Sequence, residues 1–337
     1  MRKSFRSRLD YIILMIVAVM LSVSLILSAC SKNPQTDTKN TTVITENYKP
    51  VTLQNYNREL TFQHSPKRVV SLYPHCTEIL LALGLENKIV GTAHEDHFRE
   101  VLPEYKDKYS KIPLLAKKGP SKEILLSAEP DFIYSTAWDL GGPDGLNLQE
   151  LSNYEIQTYI AMPTYIKGAT MADVYSEIEN LGNIFSVQSQ AKKIISSMQL
   201  RIQAVRDKIG QIDKPVRVLV FDQGSDILIT GGKGLESNLI RLAGGENVFD
   251  DINKEFARVS WEEAVKRNPE VIIVHDYDLP PSKEKITFIK NHPVLGKLEA
   301  VKKDRIVIIP LENIFHGVRN PTTVEALAKA FYPEKFE

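Results

Sequence analysis

Short runs of aliphatic and β-branched residues alternate with amphipathic stretches along most of this chain of 337 residues. Such runs are typical of buried strands, and apolar positions recurring every three or four residues are typical of helices. The predicted strands are 68–72, 88–91, 131–134, 157–160, 217–221, 270–274 and 305–309. Helical patterns lie between them at 77–83, 121–127 and 237–242, and another follows the last strand at 322–332. This alternation predicts an α/β fold of two lobes, each a mainly parallel sheet flanked by helices.

One helical pattern is longer than the others. Apolar residues recur every three or four positions from Val187 to Ile209, with Ser186 as the predicted N-cap and Gly210 as the predicted end. A helix of that length spans about 34 Å. We therefore expect one long interlobe helix within residues 169–211, joining an N-terminal lobe (51–168) to a C-terminal lobe (212–337).

The first thirty residues have the pattern of an export signal. Basic residues precede an apolar run from Tyr11 to Leu27, which ends in Leu-Ser-Ala before Cys30. This ending resembles the lipidation motif of bacterial lipoproteins, so we expect a signal peptide at 1–29 and a lipid-modified Cys30. An uncleaved transmembrane anchor is the alternative. Polar residues dominate 30–50 and predict a flexible, lipid-anchored tether.

Charge and cysteine content narrow the class of protein. The formal net charge is zero, so there is no basic excess to indicate nucleic-acid binding. The only cysteine besides Cys30 is Cys76, which leaves no disulfide pair if Cys30 is lipidated. Cys76 lies near the apolar residues Ile79 and Leu80 and is interpreted as a small buried residue.

Five segments in order carry a resemblance to a known family. They are RVVSLYPHCTEILLALGLENKIVG (68–91), PSKEILLSAEPDFI (120–133), LAGGENVF (242–249), VSWEEAVKRNPEVIIV (259–274) and GVRNPTTVEALAKAFYPEKF (317–336). The chain resembles the solute-binding lipoproteins of ABC importers for iron–siderophore complexes, haem and cobalamin. The resemblance implies a monomer without enzymatic activity or cofactor, on the extracytoplasmic face of the cell membrane. Its partners would be a small-molecule metal chelate, an ABC permease and the ATPase subunits, and its lipid anchor would hold it to the membrane.

Two acidic residues occupy matching places in the two halves. Glu123 and Glu262 each open a predicted helix, and the resemblance implies that they dock onto arginines of the permease. The alternative is that each acid only complements the helix dipole, which contributes about 0.3–1 kcal/mol.

Ligands of parallel α/β sheets bind beyond the carboxyl ends of the strands. This rule, together with the resemblance for the residues before VSW, selects a set of aromatic, imidazole and polar side chains. The predicted ligand-binding residues are Tyr73, His75, His94, His97, Trp138, Gln223, Phe256, Arg258, Tyr277, His316 and Arg319. Aromatic side chains would form flat walls for a bulky chelate, and the arginines would attract an anionic one.

The histidines raise the question of direct metal binding. His94 and His97 are three residues apart, which is not the HExxH spacing of zinc proteases. His94, His97 and His316 remain candidate ligands for haem iron or a chelated metal, with individual surface roles as the alternative. The sequence His316-Gly317-Val318-Arg319 departs from the proline-glycine that the family usually has there, so the ligand class stays open. A ferric siderophore ranks first, haem or cobalamin second and a bare metal ion last.

Two other classes of function agree less well with the sequence. A chelatase-like metal enzyme shares the two-lobed fold, but the sequence has no GxSxG elbow, P-loop or CxxC motif. A structural or adhesive lipoprotein would not need strand ends rich in aromatic residues and histidine.

Overall fold

The computed structural model describes residues 48–95, 100–140, 146–277 and 280–337. The predicted signal peptide, the lipidation of Cys30, the tether up to residue 47 and His97 therefore lie outside the described residues. Within the described ranges, no helix has both the length and the apolar character needed to span a membrane.

The first elements form a hairpin for which the sequence analysis had predicted no strands. Strand β1 (Val51–Asn55) pairs antiparallel with β2 (Arg58–Phe62). Side chains of this hairpin alternate between exposed and buried, and Leu60 and Phe62 enter the hydrophobic core. The buried Asn55 fixes the hairpin to the sheet beside it. Its side-chain Nδ2 donates to the backbone carbonyl of Ile160 (2.7 Å), and its Oδ1 accepts from the backbone N–H of Ile160 (2.8 Å).

Five parallel strands form the first sheet, in the order β5-β4-β3-β6-β7. The strands are β3 (Val69–Leu72), β4 (Ile89–Ala93), β5 (Leu114–Ala116), β6 (Phe132–Ser135) and β7 (Gln157–Ile160). The helices between them are α1 (Pro74–Ala82), α2 (Lys106–Tyr109), α3 (Lys122–Ser127) and α4 (Leu148–Asn153). Every residue of β3 and β6 is buried, as expected for central strands covered on both faces.

Two helices connect this sheet to the next. Helix α5 (Met171–Ile184) begins with a capping box in which Thr170 and Asp173 satisfy each other's backbone amides. Helix α6 (Gln188–Ile209) is the predicted long helix and ends at Gly210, which has φ 71°. The predicted N-cap was wrong: Ser186 has φ 58°, and Val187 occupies the cap position without a side-chain hydrogen bond.

The second half contains a parallel sheet in the order β11-β8-β13-β14 and an antiparallel sheet in the order β12-β10-β9. The strands are β8 (Val216–Phe221), β9 (Gln223–Gly224), β10 (Leu228–Gly231), β11 (Gly245–Asn247), β12 (Phe256–Val259), β13 (Val271–Asp276) and β14 (Ile306–Pro310). The helices are α7 (Leu235–Leu242), α8 (Trp261–Lys266), α9 (Ser282–Asn291), α10 (Glu299–Lys302) and α11 (Asn320–Phe331). The α/β class with mainly parallel sheets is therefore confirmed, and the antiparallel sheet is an addition to it.

Helix α6 contacts elements of both halves. Near its start, the Gln190 side chain donates to the carbonyl of Ala82 in α1 (2.9 Å). Further along, Arg201 donates to both carboxylate oxygens of Glu325 in α11 (2.8 and 2.7 Å). One hydrophobic core holds residues of both parallel sheets, such as Tyr134 and Ile273, together with α5 and α6. This shared core fixes the strand ends of the first sheet close to the segment that leads into α11.

Candidate functional site

Three of the predicted residues meet at the carboxyl ends of β3, β4 and β6. The ring of Tyr73 stacks on that of His94, with ring centroids 4.1 Å apart and planes within 5°. Trp138 meets Tyr73 edge-on at 5.8 Å and is 39% exposed. The strand-end rule thus placed these side chains correctly beside one another.

The backbone at two of these positions is strained. Tyr73 has φ 80° and His94 has φ 61°, both in the left-handed region that non-glycine residues seldom adopt. Such conformations cost about 1–3 kcal/mol each and cluster at binding sites. The adjacent backbones are joined by a hydrogen bond from the Tyr73 amide to the Ala93 carbonyl (3.2 Å). The stacked pair is therefore held by strained but well-supported backbone.

Asp139 organises the polar edges of this aromatic surface. Its Oδ1 accepts a hydrogen bond from the Tyr73 hydroxyl (3.2 Å) and lies 3.0 Å from Nε2 of His94. Its Oδ2 accepts from the hydroxyl of Ser135. One carboxylate thus hydrogen-bonds to Tyr73 and lies beside the His94 ring.

His75 lies beneath the aromatic surface and is 1% exposed. Its ring centroid is 4.6 Å from that of His316, 4.9 Å from that of Phe315 and 6.3 Å from that of Trp138. Neither ring nitrogen has a hydrogen-bond partner among the described residues. Burial lowers the pKa of His75 well below its usual value, and the neighbouring His316 and Arg319 lower it further. The imidazole is therefore neutral.

A second buried cluster continues from His316. Its Nε2 lies 3.6 Å from Sγ of Cys76 and 3.4 Å from Oε1 of Glu177. Glu177 also accepts hydrogen bonds from the Tyr134 hydroxyl and from the backbone amide of Met162 (2.6 Å). Burial lowers the pKa of His316 to about 3 and raises the pKa of Glu177 to about 8. Burial raises the pKa of the Cys76 thiol, so at pH 7 His316 and Cys76 are neutral and Glu177 is mostly protonated.

Another histidine marks the end of β13 in the second sheet. His275 is fully buried, with Nδ1 3.0 Å from Asp222 Oδ1 and Nε2 2.7 Å from Glu236 Oε1. Burial lowers the pKa of His275, but the two carboxylates raise it more, and the net value is about 9. The hydroxyl of Tyr277 donates to the Asp222 carbonyl (3.4 Å), and the Lys285 ammonium lies 3.5 Å from the Tyr277 ring centroid. Tyr277 is thus part of a packed ionic network.

The remaining predicted residues of the second half lie on the antiparallel sheet. Gln223 is half-buried opposite Ile229, while Phe256 and Arg258 are exposed on β12. The structure does not bring these three into contact with the described histidines. Their neighbour Glu255 lies near Trp138. Desolvation, with the charge of Glu236, raises the pKa of Glu255 to about 7.

The prediction that Arg319 attracts an anionic ligand does not agree with its place in the structure. Arg319 is 7% exposed and donates to both carboxylate oxygens of Glu78 (2.7 and 2.6 Å). It also donates to Asn313 Oδ1 (3.2 Å) and to the carbonyl of Glu100. Its charge therefore neutralises a buried carboxylate of α1.

Among the described residues, the predicted metal ligands His94 and His316 are not grouped with each other, and His97 lies outside the described residues. His94 stacks on Tyr73 and faces Asp139. His316 is instead grouped with His75 and Cys76, whose donor atoms all lie within 4.8 Å of one another. Cys76, predicted to be a small buried residue, is buried.

Four side chains at the site were missed by the sequence analysis: Asp139, Glu177, Glu255 and Phe315. The strand-end rule could have found Asp139, because it follows Trp138 directly. Glu177 lies in the middle of α5, where an acidic residue gives no signal that it points inward.

The two predicted docking acids occupy equivalent positions. Glu123 lies in the first turn of α3 after the N-cap Ser121, and Glu262 lies in the first turn of α8 after the N-cap Ser260. Both acidic side chains are exposed. The interaction with Ser121 lowers the pKa of Glu123.

Comparison with known proteins agrees with this architecture. Residues 69–312 match the family described as periplasmic binding protein. An uncharacterized ABC transporter substrate-binding lipoprotein of Bacillus subtilis is 25% identical over 86% of this chain and 87% of its own length. A vitamin B12-binding protein of Vibrio parahaemolyticus is 28% identical over 63% of this chain and 72% of its own.

Among solved structures, a periplasmic binding protein from Veillonella parvula superposes with a TM-score of 0.77 at 26% identity, covering 84% of this chain and 98% of the other. These relatives are binding proteins, which confirms the expectation that the chain is not an enzyme. Because the family match extends over more than half of its length, this chain belongs to the periplasmic binding protein family.

Proposed function

We propose that this protein captures a bulky metal chelate outside the cytoplasm and delivers it to the permease of an ABC importer. The observation that carries the proposal is the aromatic surface of Tyr73, His94 and Trp138 at the strand ends of the first sheet. Trp138 is 39% exposed although it contacts Tyr73 and Phe315, so a large flat face is available to a ligand. Flat, partly apolar ligands bind well to such faces.

The charges around this surface restrict the cargo. Asp139 contacts Tyr73 and His94, and Glu255 lies near Trp138, whereas Arg319 is engaged with Glu78. Carboxylates at a binding surface disfavour an anionic ligand such as a ferric catecholate. Among ferric siderophores, the surface therefore fits a neutral or positively charged ferric hydroxamate best.

Cobalamin is the second candidate. The Vibrio relative is named a vitamin B12-binding protein, and a corrin is a bulky chelate with an apolar face. Haem is the third candidate: Asp139 disfavours its propionates at the aromatic surface, so they would have to reach the lysines of the neighbouring groove, Lys167, Lys233 and Lys254.

A groove of about 290 Å³ adjoins the site, lined by residues 163–168, 233–235 and 253–255. Small-molecule sites usually have volumes of roughly 300–1,000 Å³. The groove alone is slightly smaller than this range, which supports a cargo that covers both the groove and Trp138.

Delivery requires a docking surface and a location outside the cytoplasm. Glu123 and Glu262 supply two exposed carboxylates in equivalent helices, which suits a partner with two similar basic sites. The name of the Bacillus relative supports an extracytoplasmic lipoprotein, and the lipidation motif at Cys30 is the feature of this sequence that agrees with it.

Tryptophan fluorescence tests the cargo directly, because the chain has only two tryptophans. Purified protein would be titrated with a ferric trihydroxamate, with cyanocobalamin and with hemin. We expect the hydroxamate to quench Trp138, and we expect Trp138→Phe to remove the quenching and weaken binding measured by calorimetry. Trp261→Phe is the matched control, because Trp261 is buried in α8, and it should keep both.

Quenching that disappears in Trp261→Phe but persists in Trp138→Phe would place the cargo elsewhere. Tight binding of cyanocobalamin without binding of the hydroxamate would select the second candidate. If calorimetry showed no binding of any of the three chelates, a metal chelate would be the wrong class of cargo.

A further inference from the structure

His75, Cys76 and His316 come from two distant parts of the chain and meet in the interior. His75 and Cys76 are adjacent in the first turn of α1, and His316 precedes α11. They are 1%, 0% and 2% exposed, respectively. Their donor atoms all lie within 4.8 Å of one another.

The state of His75 is unexplained by packing alone. Both of its ring nitrogens are buried without a hydrogen-bond partner among the described residues. Leaving a buried polar group unsatisfied costs about 1–3 kcal/mol, so such groups usually have a further partner. The rings of His75 and His316 lie at 88° to each other with their centroids 4.6 Å apart, so a shared ligand between them is the simplest partner.

The distance between Cys76 and His316 matches that of a tetrahedral metal centre. Zinc–sulfur bonds of about 2.3 Å and zinc–nitrogen bonds of about 2.0–2.1 Å place sulfur and nitrogen ligands roughly 3.5 Å apart. In this structure Cys76 Sγ lies 3.6 Å from His316 Nε2.

We propose that His75, Cys76 and His316 bind a thiophilic transition-metal ion such as Zn²⁺. Imidazole nitrogens and a cysteine thiolate are both ligand types that zinc takes. On binding, the Cys76 thiol releases a proton to solvent, and the two imidazoles bind as neutral donors.

The ion needs neutral imidazoles and a deprotonated Cys76 thiol, so metal affinity should rise with pH. The ion would join α1 of the first half to the segment before α11 and would be a resident ion, since the cluster lies beneath the exposed aromatic surface.

Cobalt substitution and thiol protection test this site in the full chain purified in detergent and treated with a chelator. We expect the protein to bind one equivalent of Zn²⁺, and we expect this binding to require Cys76. Co²⁺ at the same site should give the near-ultraviolet charge-transfer band of a cobalt–thiolate bond. Cys76→Ala should abolish this band. His316→Ala should weaken zinc affinity by more than about 10-fold, since the loss of outer-shell partners alone costs 10–100-fold.

His64→Ala is the matched control, because His64 is exposed, and it should bind zinc like the wild type. Zinc protection of Cys76 from alkylation, mapped by peptide mass spectrometry, needs no variant and remains informative if Cys76→Ala fails to fold. Alkylation of Cys76 at equal rates with and without Zn²⁺, or a thiolate band that persists in folded Cys76→Ala, would overturn the proposal.

Discussion

The guanidinium of Arg319 donates two hydrogen bonds to the carboxylate of Glu78, at 2.7 and 2.6 Å, across 241 residues of sequence. Glu78 is 1% exposed and also accepts a hydrogen bond from the amide of Leu102 (2.8 Å). Burial raises the pKa of Glu78 despite the opposing effect of Arg319. The carboxylate thus depends on this one guanidinium to remain charged in the interior. The pair connects α1 of the first half to the start of α11.

Removing one partner of this pair should destabilise the protein strongly. We expect Arg319→Met to lower the free energy of unfolding by about 3–5 kcal/mol, because it leaves a buried carboxylate without its cation. The double variant Glu78→Leu with Arg319→Met should recover most of this loss, since no buried charge remains. Urea denaturation measures both values.

The exposed pair of Arg201 and Glu325 provides the control, with side chains 40% and 39% exposed. Arg201→Met should cost less than about 1 kcal/mol. A loss from Arg319→Met no larger than that from Arg201→Met would mean that the buried pair has no special role in stability.

Charge reversal at the two predicted docking acids should separate delivery from cargo binding. We expect the double variant Glu123→Lys with Glu262→Lys to reduce uptake by at least 10-fold in cells carrying the importer, because like charges would then face the permease. Cargo affinity of the purified variant should stay within about twofold, because both side chains are exposed in first turns.

Glu284→Lys is the matched control, since Glu284 is an exposed acid in the first turn of α9. It changes the dipole interaction of a helix in the same way but lies outside the proposed docking pair. Normal uptake by the double variant would refute the docking role. If Glu284→Lys lost uptake as well, the loss would come from the change in overall charge and not from the two docking positions.

The local sequence pattern was sufficient to predict the strands that are buried on both faces. The apolar runs at 68–72 and 131–134 became β3 and β6, which are completely buried. The hairpin at 51–62 was missed because its strands are half exposed and their alternating pattern is short and rich in polar residues.

At the site, the strand-end rule found side chains but not their partners. It placed Tyr73, His94 and Trp138 together because the carboxyl ends of parallel strands share one edge. It could not show that Arg319 pairs with Glu78 or that His316 meets Cys76, since these contacts join residues 241 and 240 positions apart. Contacts of this range follow from the packing of both halves on α5 and α6, which no local pattern specifies.

The ionic network of His275 should make stability fall on the alkaline side. The folded-state pKa is about 9, above the value of about 6.5 expected for an unfolded chain. Between these values the folded state binds more protons, so the free energy of unfolding decreases as pH rises. The contribution, about 3 kcal/mol, is fully present below pH 6.5 and lost above pH 9.

Urea denaturation between pH 6 and 10 measures this slope. His275→Gln should flatten this slope, whatever its effect on stability at a single pH. The raised pKa of Glu177 also contributes to the pH dependence, but it does so equally in the wild type and the variant. His64→Gln, at an exposed position, should keep the wild-type slope. An unchanged slope in His275→Gln would show that this imidazole does not carry the pH dependence.

The C-terminal end of α6 offers a test of backbone strain without side-chain contacts. Gly210 has φ 71° at the cap, and a Cβ built there meets no atom within 4 Å. Gly210→Ala should therefore lower the free energy of unfolding by about 1 kcal/mol or more, through the left-handed conformation alone. Gln211→Ala, at the exposed next position, should change it by less than about 0.5 kcal/mol.

Because α6 contacts both halves of the molecule, the loss in Gly210→Ala should appear as a single cooperative transition in urea, monitored in parallel by circular dichroism and tryptophan fluorescence. Two separate transitions, or equal stability of the two variants, would contradict this account of how the long helix ends.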